Sequence, residues 1–262
     1  MGKCQCRPCA AEANEGTHEV SVTADGRLRK EHIFENGAVY TGEWLGEERH
    51  GRGTQVWPDG ARYEGQWVRN RVKGEGRFAH ANGEVYEGQW IDDKAEGYGV
   101  YLHQDGSRYS GEFRADVQHG RGREVWPDSS TYEGEYKDGA KHGMGTFEWP
   151  DGSMYKGEIV ENEIHGKGVY RWNDQRTFSG QWANGKMHGE GLFSWGDGCS
   201  YNGEYVQDVK DGHGIFTWPD GRSYVGQFHN GMQHGLGTYV DEAAVKRKGE
   251  WDKGQHLRWL DE

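Results

Sequence analysis

Histidine, glutamate and glycine recur in this chain at spacings that invite three chemistries. His119, His142, His165 and His188 stand 23 residues apart, each opening a His-Gly-x-Gly run, and imidazole is a common metal ligand. A Glu or Gln recurs at the same interval (Glu43, Gln66, Gln89, Glu112, Glu135, Glu158, Gln181, Glu204, Gln227, Glu250), and paired carboxylates can move protons. Gly-x-Gly opens many phosphate-binding loops. Each possibility fails on its own terms. If every 23-residue unit supplies two strands about 4.8 Å apart, successive histidines stand about 10 Å apart, too far to share an ion with bonds of about 2 Å. Four of the ten Glu/Gln positions are amides, which cannot trade protons. Neither Gly-x-Gly-x-x-Gly nor a Walker lysine nor His-Glu-x-x-His occurs, and no Ser-His-Asp or Cys-His set stands apart from the repeat. The histidines are therefore expected to pack or hydrogen-bond at the corners between repeats, and the Glu/Gln column to cap a backbone amide at the junction. No catalytic residue, metal or cofactor is expected, and the chain does not read as an enzyme.

The elements that must position these residues follow from the same period. Aromatic-x-Gly-[Glu/Gln] begins at Tyr40, Tyr63, Tyr86, Tyr109, Tyr132, Tyr155, Phe178, Tyr201 and Tyr224, and a tenth copy at Arg247 loses only the aromatic. Trp-Pro-Asp-Gly is intact at 57–60, 149–152 and 218–221. Several glycines per unit argue against helix, at about 1 kcal/mol each relative to alanine. The spacing predicts one strand over 53–57, a turn at Pro58-Asp59-Gly60, a return strand over 61–67, and a connection from 68 to the next unit. Alternation then places 32 of the 34 aromatic residues on one face of the sheet, with Arg62, Glu64 and Gln66 on the other. A three-residue loop sets Gly53 opposite Gly65, leaving a trough in which rings of adjoining units can lie flat.

Composition fits this frame. Leu, Ile, Val and Phe total only 37 of 262 residues and the net charge is −12, a pattern that by itself signals disorder. The 34 aromatics and 44 glycines instead serve a sheet with no second layer to bury. The acidic balance excludes nucleic acid and broad adhesion to anionic lipid. No apolar run reaches the 18–20 residues or so of a membrane-spanning helix. No signal-like apolar segment follows Met1, and a reducing, cytoplasmic setting is the simple reading of four cysteines, three of them in the first nine residues.

Tyr132-Glu-Gly-Glu-Tyr136, His142-Gly-Met-Gly145 and Trp149-Pro-Asp-Gly152 together resemble the MORN (membrane occupation and recognition nexus) repeat. The resemblance is close over 40–251, with degenerate caps extending the array to 18–262. It implies an all-β fold: an elongated single-layer antiparallel sheet of about ten 23-residue β-hairpin repeats, used as a non-enzymatic scaffold. Relatives include junctophilins, radial spoke head proteins of cilia, cytoskeletal MORN proteins and plant phosphatidylinositol-phosphate kinases. In the kinases catalysis belongs to an appended domain, for which these 262 residues leave no room. Residues 1–17 obey no repeat and read as a disordered tail. Met1-Gly2-Lys3-Cys4-Gln5-Cys6 resembles the dually acylated start of Src-family kinases, with Gly2 the myristoylation site and Cys4, Cys6 and Cys9 the candidates for palmitoylation. An aromatic groove of Trp67, Trp90, Tyr109, Phe113, Tyr132, Tyr136, Trp182, Tyr205 and Phe228 is expected to hold protein partners. These are cytoskeletal, axonemal or membrane-associated proteins, or a second copy joined through the sheet ends. The expected location is the cytoplasmic face of a membrane or the cytoskeleton, including the cilium. A radial-spoke-head-like axonemal subunit and a phosphoinositide-binding module are the alternative readings.

Overall fold

The computed structural model describes residues 18–24 and 26–260, all of them strand, turn or irregular segment, with no helix among them. They form two compact units divided after Ala140. In the first, β1 (His18–Val22), β2 (Leu28–Ile33), β3 (Val39–Leu45), β4 (Glu48–Val56), β5 (Arg62–Val68) and β6 (Arg71–Ala79) are followed by β7 (Val85–Ile91), β8 (Lys94–Leu102), β9 (Arg108–Arg114), β10 (Val117–Val125) and β11 (Thr131–Lys137). Within this unit each strand pairs antiparallel with its chain neighbours. The second unit repeats the pattern. It runs through β12 (Ala140–Glu148), β13 (Met154–Val160), β14 (Glu163–Arg171), β15 (Thr177–Ala183), β16 (Lys186–Ser194) and β17 (Ser200–Val206). It continues through β18 (Val209–Thr217), β19 (Ser223–His229), β20 (Met232–Val240), β21 (Lys246–Asp252) and β22 (Gln255–Trp259). These strands too pair in chain order.

Two kinds of turn alternate. Pro58-Asp59-Gly60 closes β4 onto β5: Gly60 N donates to Trp57 O at 2.9 Å, Trp57 N to Ala61 O at 2.9 Å, and Ala61 N to Asp59 Oδ1 at 3.0 Å. Gly60 takes the positive φ (+90°) that this loop requires. From β5 to β6 the chain turns on two residues, Arg69 and Asn70, both at positive φ (+50° and +68°), the pairing of a type I′ turn. The expected connection after residue 68 is therefore strand and tight turn. What reads as a linker between hairpins is itself a hairpin.

The second turn is tied to the one before it. Asn70 N donates to Arg49 O at 3.0 Å, and Arg49 N donates back to Asn70 Oδ1 at 2.9 Å. The side-chain half of this clamp recurs at Asp93 on Val72 and Asp116 on Ala95, and in the second unit at Asn162 on Lys141 and Asp208 on Met187. Where glycine takes the second turn position, as at Gly185 and Gly231, the backbone bond alone remains. The nine-residue strands β4, β6, β8, β10, β14, β16, β18 and β20 are bulged where they follow such a turn. Between the pairs Gly65↔Gly76 and Trp67↔Val72, Gln66 alone faces Lys73, Gly74 and Glu75, and Gly74 turns the strand at a φ of +87°.

Gly53 pairs with Gly65 as expected, and across the tight turns glycine meets glycine again, Gly157 with Gly168. The ring over each pair is the tyrosine two residues ahead on the short strand. A Cβ built at Gly76 would sit 2.5 Å from Tyr63 Cζ, and a Cβ at Gly53 would strike Tyr40 in the same way. The tyrosine column is fully buried, and with the column four residues on it forms the core of each unit.

Candidate partner-binding face

Three columns of side chains build the inner face. The innermost is the tyrosine column. Each hydroxyl donates to the carbonyl oxygen three residues on, as in Tyr63 to Gln66 (3.2 Å), Tyr109 to Glu112 (2.9 Å), Tyr155 to Glu158 (2.8 Å) and Tyr224 to Gln227 (3.1 Å). Burial pushes the phenols upward, to about 12 at Tyr201 and Tyr224 and further at Tyr40, Tyr109, Tyr132, Tyr155 and Tyr136. Phe178 keeps the ring over Gly180 and Gly191 without a donor.

The second column stands edge-on to the first. Trp67 meets Tyr63 at 5.2 Å and Tyr40 at 5.4 Å between centroids, with interplanar angles of 90° and 83°, and its Nε1 donates to Gly53 O at 3.2 Å. All nine residues expected to line a partner groove (Trp67, Trp90, Tyr109, Phe113, Tyr132, Tyr136, Trp182, Tyr205, Phe228) belong to these two columns, and none is more than 6 % exposed. They pack on their own neighbours' rings and glycines, so they are core rather than contact surface.

A third row of rings runs along the loop edge, where the tryptophans stay half-buried while Phe78, Tyr101 and Phe193 are buried. In the first unit it runs Trp57, Phe78, His80, Tyr101, His103, with successive centroids 4.5–6.2 Å apart. In the second unit it is an unbroken series of rings from Phe147 through Trp149, Tyr170, Trp172, Phe193, Trp195, Phe216 and Trp218 to Tyr239, 4.5–6.1 Å apart. Its tilt grows from nearly stacked at Phe147–Trp149 (15°) to 64° at Phe216–Trp218. The loop tryptophans of this row are half-buried, with one flank toward solvent. Sequence placed these rings on the correct face but did not separate them from the core. The signal available was the degeneracy of Trp-Pro-Asp-Gly beside the near-invariant Tyr-x-Gly.

One further position escaped sequence reading. The second residue of two nine-residue strands, Arg49 of β4 and Lys210 of β18, reaches into a box of rings from adjacent repeats. Arg49 is buried there, with its Cζ 4.4 Å from the Trp67 ring and 5.4 Å from Phe34; Nη2 donates to Asn70 O at 2.9 Å and Nη1 to Gln55 Oε1. Lys210 fills the matching box of the second unit, its Nζ 4.8 Å from Trp195, 5.0 Å from Phe216 and 5.2 Å from Tyr201, and burial lowers its pKa. Elsewhere the position is Val72, Ala95, Gln118, Lys141, Ile164, Met187 or Gln233.

The Glu/Gln column behaves as its interchange implies. Its side-chain oxygen folds over the bulge and accepts a backbone N–H: Tyr98 to Gln89 at 3.0 Å, Arg121 to Glu112 at 2.9 Å, His213 to Glu204 at 2.8 Å. Amide and carboxylate both offer that oxygen. Several histidines sit beside acids at the repeat corners: His119 Nδ1 is 3.8 Å from Asp138, His229 Nδ1 is 3.0 Å from Asp211, and His234 Nδ1 is 3.2 Å from Asp252. Among the described residues no three His, Cys, Asp or Glu side chains are grouped as a metal site. Gly2, Cys4, Cys6 and Cys9 lie outside the described residues.

Comparison with known proteins gives a family. The MORN repeat model matches nine consecutive segments: 40–62, 63–85, 86–108, 109–131, 132–154, 155–175, 178–200, 201–221 and 224–242. The tenth copy at Arg247 lies outside them, although β21 pairs there as its predecessors do. No curated protein matches the chain. Among solved structures, it is similar to the TCP10 domain of Danio rerio CPAP in complex with a STIL peptide. Identity there is 13 %, over 88 % of this chain and 98 % of that one, with a TM-score of 0.49. It is also similar to the Drosophila melanogaster SAS-4 (dCPAP) TCP domain in complex with a proline-rich motif of Ana2, at 11 % identity over 60 % and 85 % and a TM-score of 0.38. No catalytic family is indicated, and the match points to a non-enzymatic repeat scaffold. Nine matched repeats in unbroken succession make this chain a member of the MORN repeat family.

Proposed function

We propose that the chain is a scaffold that presents the loop-edge ring row of each unit to cytoskeletal, axonemal or membrane-associated proteins, and that acylation at Gly2, Cys4 and Cys6 holds it at the cytoplasmic face of a membrane. The half-open ring row carries the reading. Rings in series whose tryptophans stay half-buried offer an apolar strip that a soluble protein ordinarily covers with a partner. A single myristoyl chain binds membranes marginally, and the neighbouring cysteines supply the second chain that makes anchoring stable.

Proximity labelling in the source cells tests both halves. Wild type is compared with Gly2→Ala and with Trp57→Ala/Trp172→Ala, the latter checked for unchanged melting. Loss of membrane neighbours in the first variant and of protein neighbours in the second is the expected result. Equal myristate-analogue incorporation in wild type and Gly2→Ala refutes the tether, and an unchanged neighbour list in the ring variant refutes the scaffold face.

A further inference from the structure

At the turn from β19 to β20 two columns of the repeat change together. Asp211 stands where His142, His165, His188 and His234 stand in the same unit, and His229 stands where Val160, Ala183 and Val206 do. The exchange builds a short relay. His229 Nδ1 lies 3.0 Å from Asp211 Oδ2, and with the Nδ1 proton on that carboxylate, His229 Nε2 accepts from Asn230 Nδ2 at 3.0 Å. Asn230 N donates to the same Asp211 oxygen at 3.2 Å, so one carboxylate holds both the imidazole and the backbone beside it. His229 and Asn230 are exposed, and water reaches both.

Glycine follows Asn230, and that pairing has a chemistry of its own. The backbone nitrogen after an asparagine can attack the side-chain amide, and a glycine there has no Cβ to obstruct the approach. The slow part is expulsion of nitrogen, a poor leaving group until it is protonated, which is work for a positioned acid within hydrogen-bond reach. Asn184-Gly185 makes the same turn two repeats earlier without the relay. Its φ values are +52° and +73° against +50° and +82° at Asn230-Gly231. Gly185 N donates to Ile164 O at 2.9 Å, as Gly231 N does to Lys210 O at 2.9 Å, so the attacking group is tied down equally in both. Ala183 and His165 replace His229 and Asp211 there.

We infer that Asn230 is a site of self-modification, at which His229 is the acid that speeds loss of the side-chain amide and Asp211 is its positioning residue. Gly231 N bonds to Asn230 Cγ and gives its proton to water. The amide nitrogen, now a tetrahedral amine with a free lone pair, takes a proton from Nε2 of protonated His229. The Cγ–Nδ2 bond breaks and ammonia leaves a succinimide; His229 recovers its proton from solvent. Water then adds to either carbonyl and gives aspartate or isoaspartate, the net change being amide plus water to acid plus ammonia. The turn admits aspartate, since Asp138-Gly139 is the same turn elsewhere in the chain. Isoaspartate inserts a backbone methylene into a two-residue turn that sets the His229↔Met232 register, and so loosens the strands that follow.

The full chain is aged at neutral pH, and peptide mapping by mass spectrometry follows conversion at Asn230 and Asn184 in the same sample. Asn230 is expected to convert about tenfold faster or more, at the low side of what a positioned acid contributes. His229→Ala, which reproduces the residue before Asn184, should bring the two rates together, and added imidazole should restore part of the difference. Asp211→Asn keeps an oxygen for Asn230 N and should slow conversion several-fold, with Asp211→Glu regaining part of it. Ala183→His/His165→Asp should create a second fast site at Asn184. Melting curves confirm that each variant is folded. Equal native rates at the two asparagines, or an Asn230 rate unmoved in folded His229→Ala, overturns the inference. So does a difference that persists in urea, where only local sequence acts.

Discussion

A single methyl group at Gly157 would fall 2.6 Å from Lys167 O and closer still to Gly168 Cα and Tyr155 Oη. Backbone lies on two sides and a fully buried ring on the third, so nothing nearby can give way. Gly157→Val is expected to lose about 3 kcal/mol or more, seen as a large drop in Tm by circular dichroism; an unchanged Tm would contradict the account of the ring trough. Gln89 offers the opposite case. Its oxygen serves Tyr98 N, and glutamate supplies that oxygen equally, so Gln89→Glu should leave Tm nearly unchanged while Gln89→Leu should destabilise by about 1–2 kcal/mol. The tyrosines give a pH signature. Their folded pKa lies above the unfolded value near 10, so below pH 10 both states hold the proton and stability is flat. Between pH 10 and about 12 the unfolded chain releases protons that the folded one keeps at Tyr201 and Tyr224, and stability falls as pH rises. Phenolate absorbance should therefore rise together with loss of the far-ultraviolet sheet signal, not ahead of it.

Strand and turn divide into what the sequence discloses and what only the folded backbone decides. Trp57 to Ala61 could be read in advance, because proline, aspartate and glycine each have one natural place in a three-residue loop, and the Gly53↔Gly65 pairing follows from it. Arg69-Asn70 was passed over, although asparagine tolerates positive φ and the same turn is Asp138-Gly139, Asn184-Gly185 and Asn230-Gly231 in other repeats; in the folded chain the clamp to Arg49 twenty-one positions back ties it down. The bulge was hidden for a related reason, since a glycine between two charged residues, as in Lys73-Gly74-Glu75, reads as readily as linker. The core rings and the open rings were likewise merged, because alternation assigns a face but not a depth. Two measurements probe the turn. Asp93→Ala strips the cap from Val72 N and should destabilise by about 1–2 kcal/mol. Ala115, which holds a φ of +47°, should stabilise by about 0.5–1 kcal/mol when replaced by glycine or asparagine. Urea midpoints decide both.

Over the described residues the composition that looked like disorder describes antiparallel sheet whose core in each unit is made almost entirely of rings over glycines. Each repeat leans on its neighbours, so stability should be graded along a unit rather than uniform. Hydrogen exchange should be fastest at β1 and β22, the terminal strands of their respective units, and slowest in central strands such as β6 and β17. Equal protection throughout would mean a cooperativity that these contacts do not supply.

The period of 23 residues holds without insertion from Tyr40 to Arg247. An odd number of residues carries the chain through two strands and two turns and returns every side chain to its own face only because the bulge absorbs the extra ones. Heredity must respect that arithmetic. A duplication or loss of one whole unit, such as 178–200, re-enters the frame with tyrosine on glycine; a change of one residue more or less turns the next tyrosine toward water. Such a gene can lengthen or shorten its product only in steps of a full repeat, and each step adds or removes one loop and its share of the ring row.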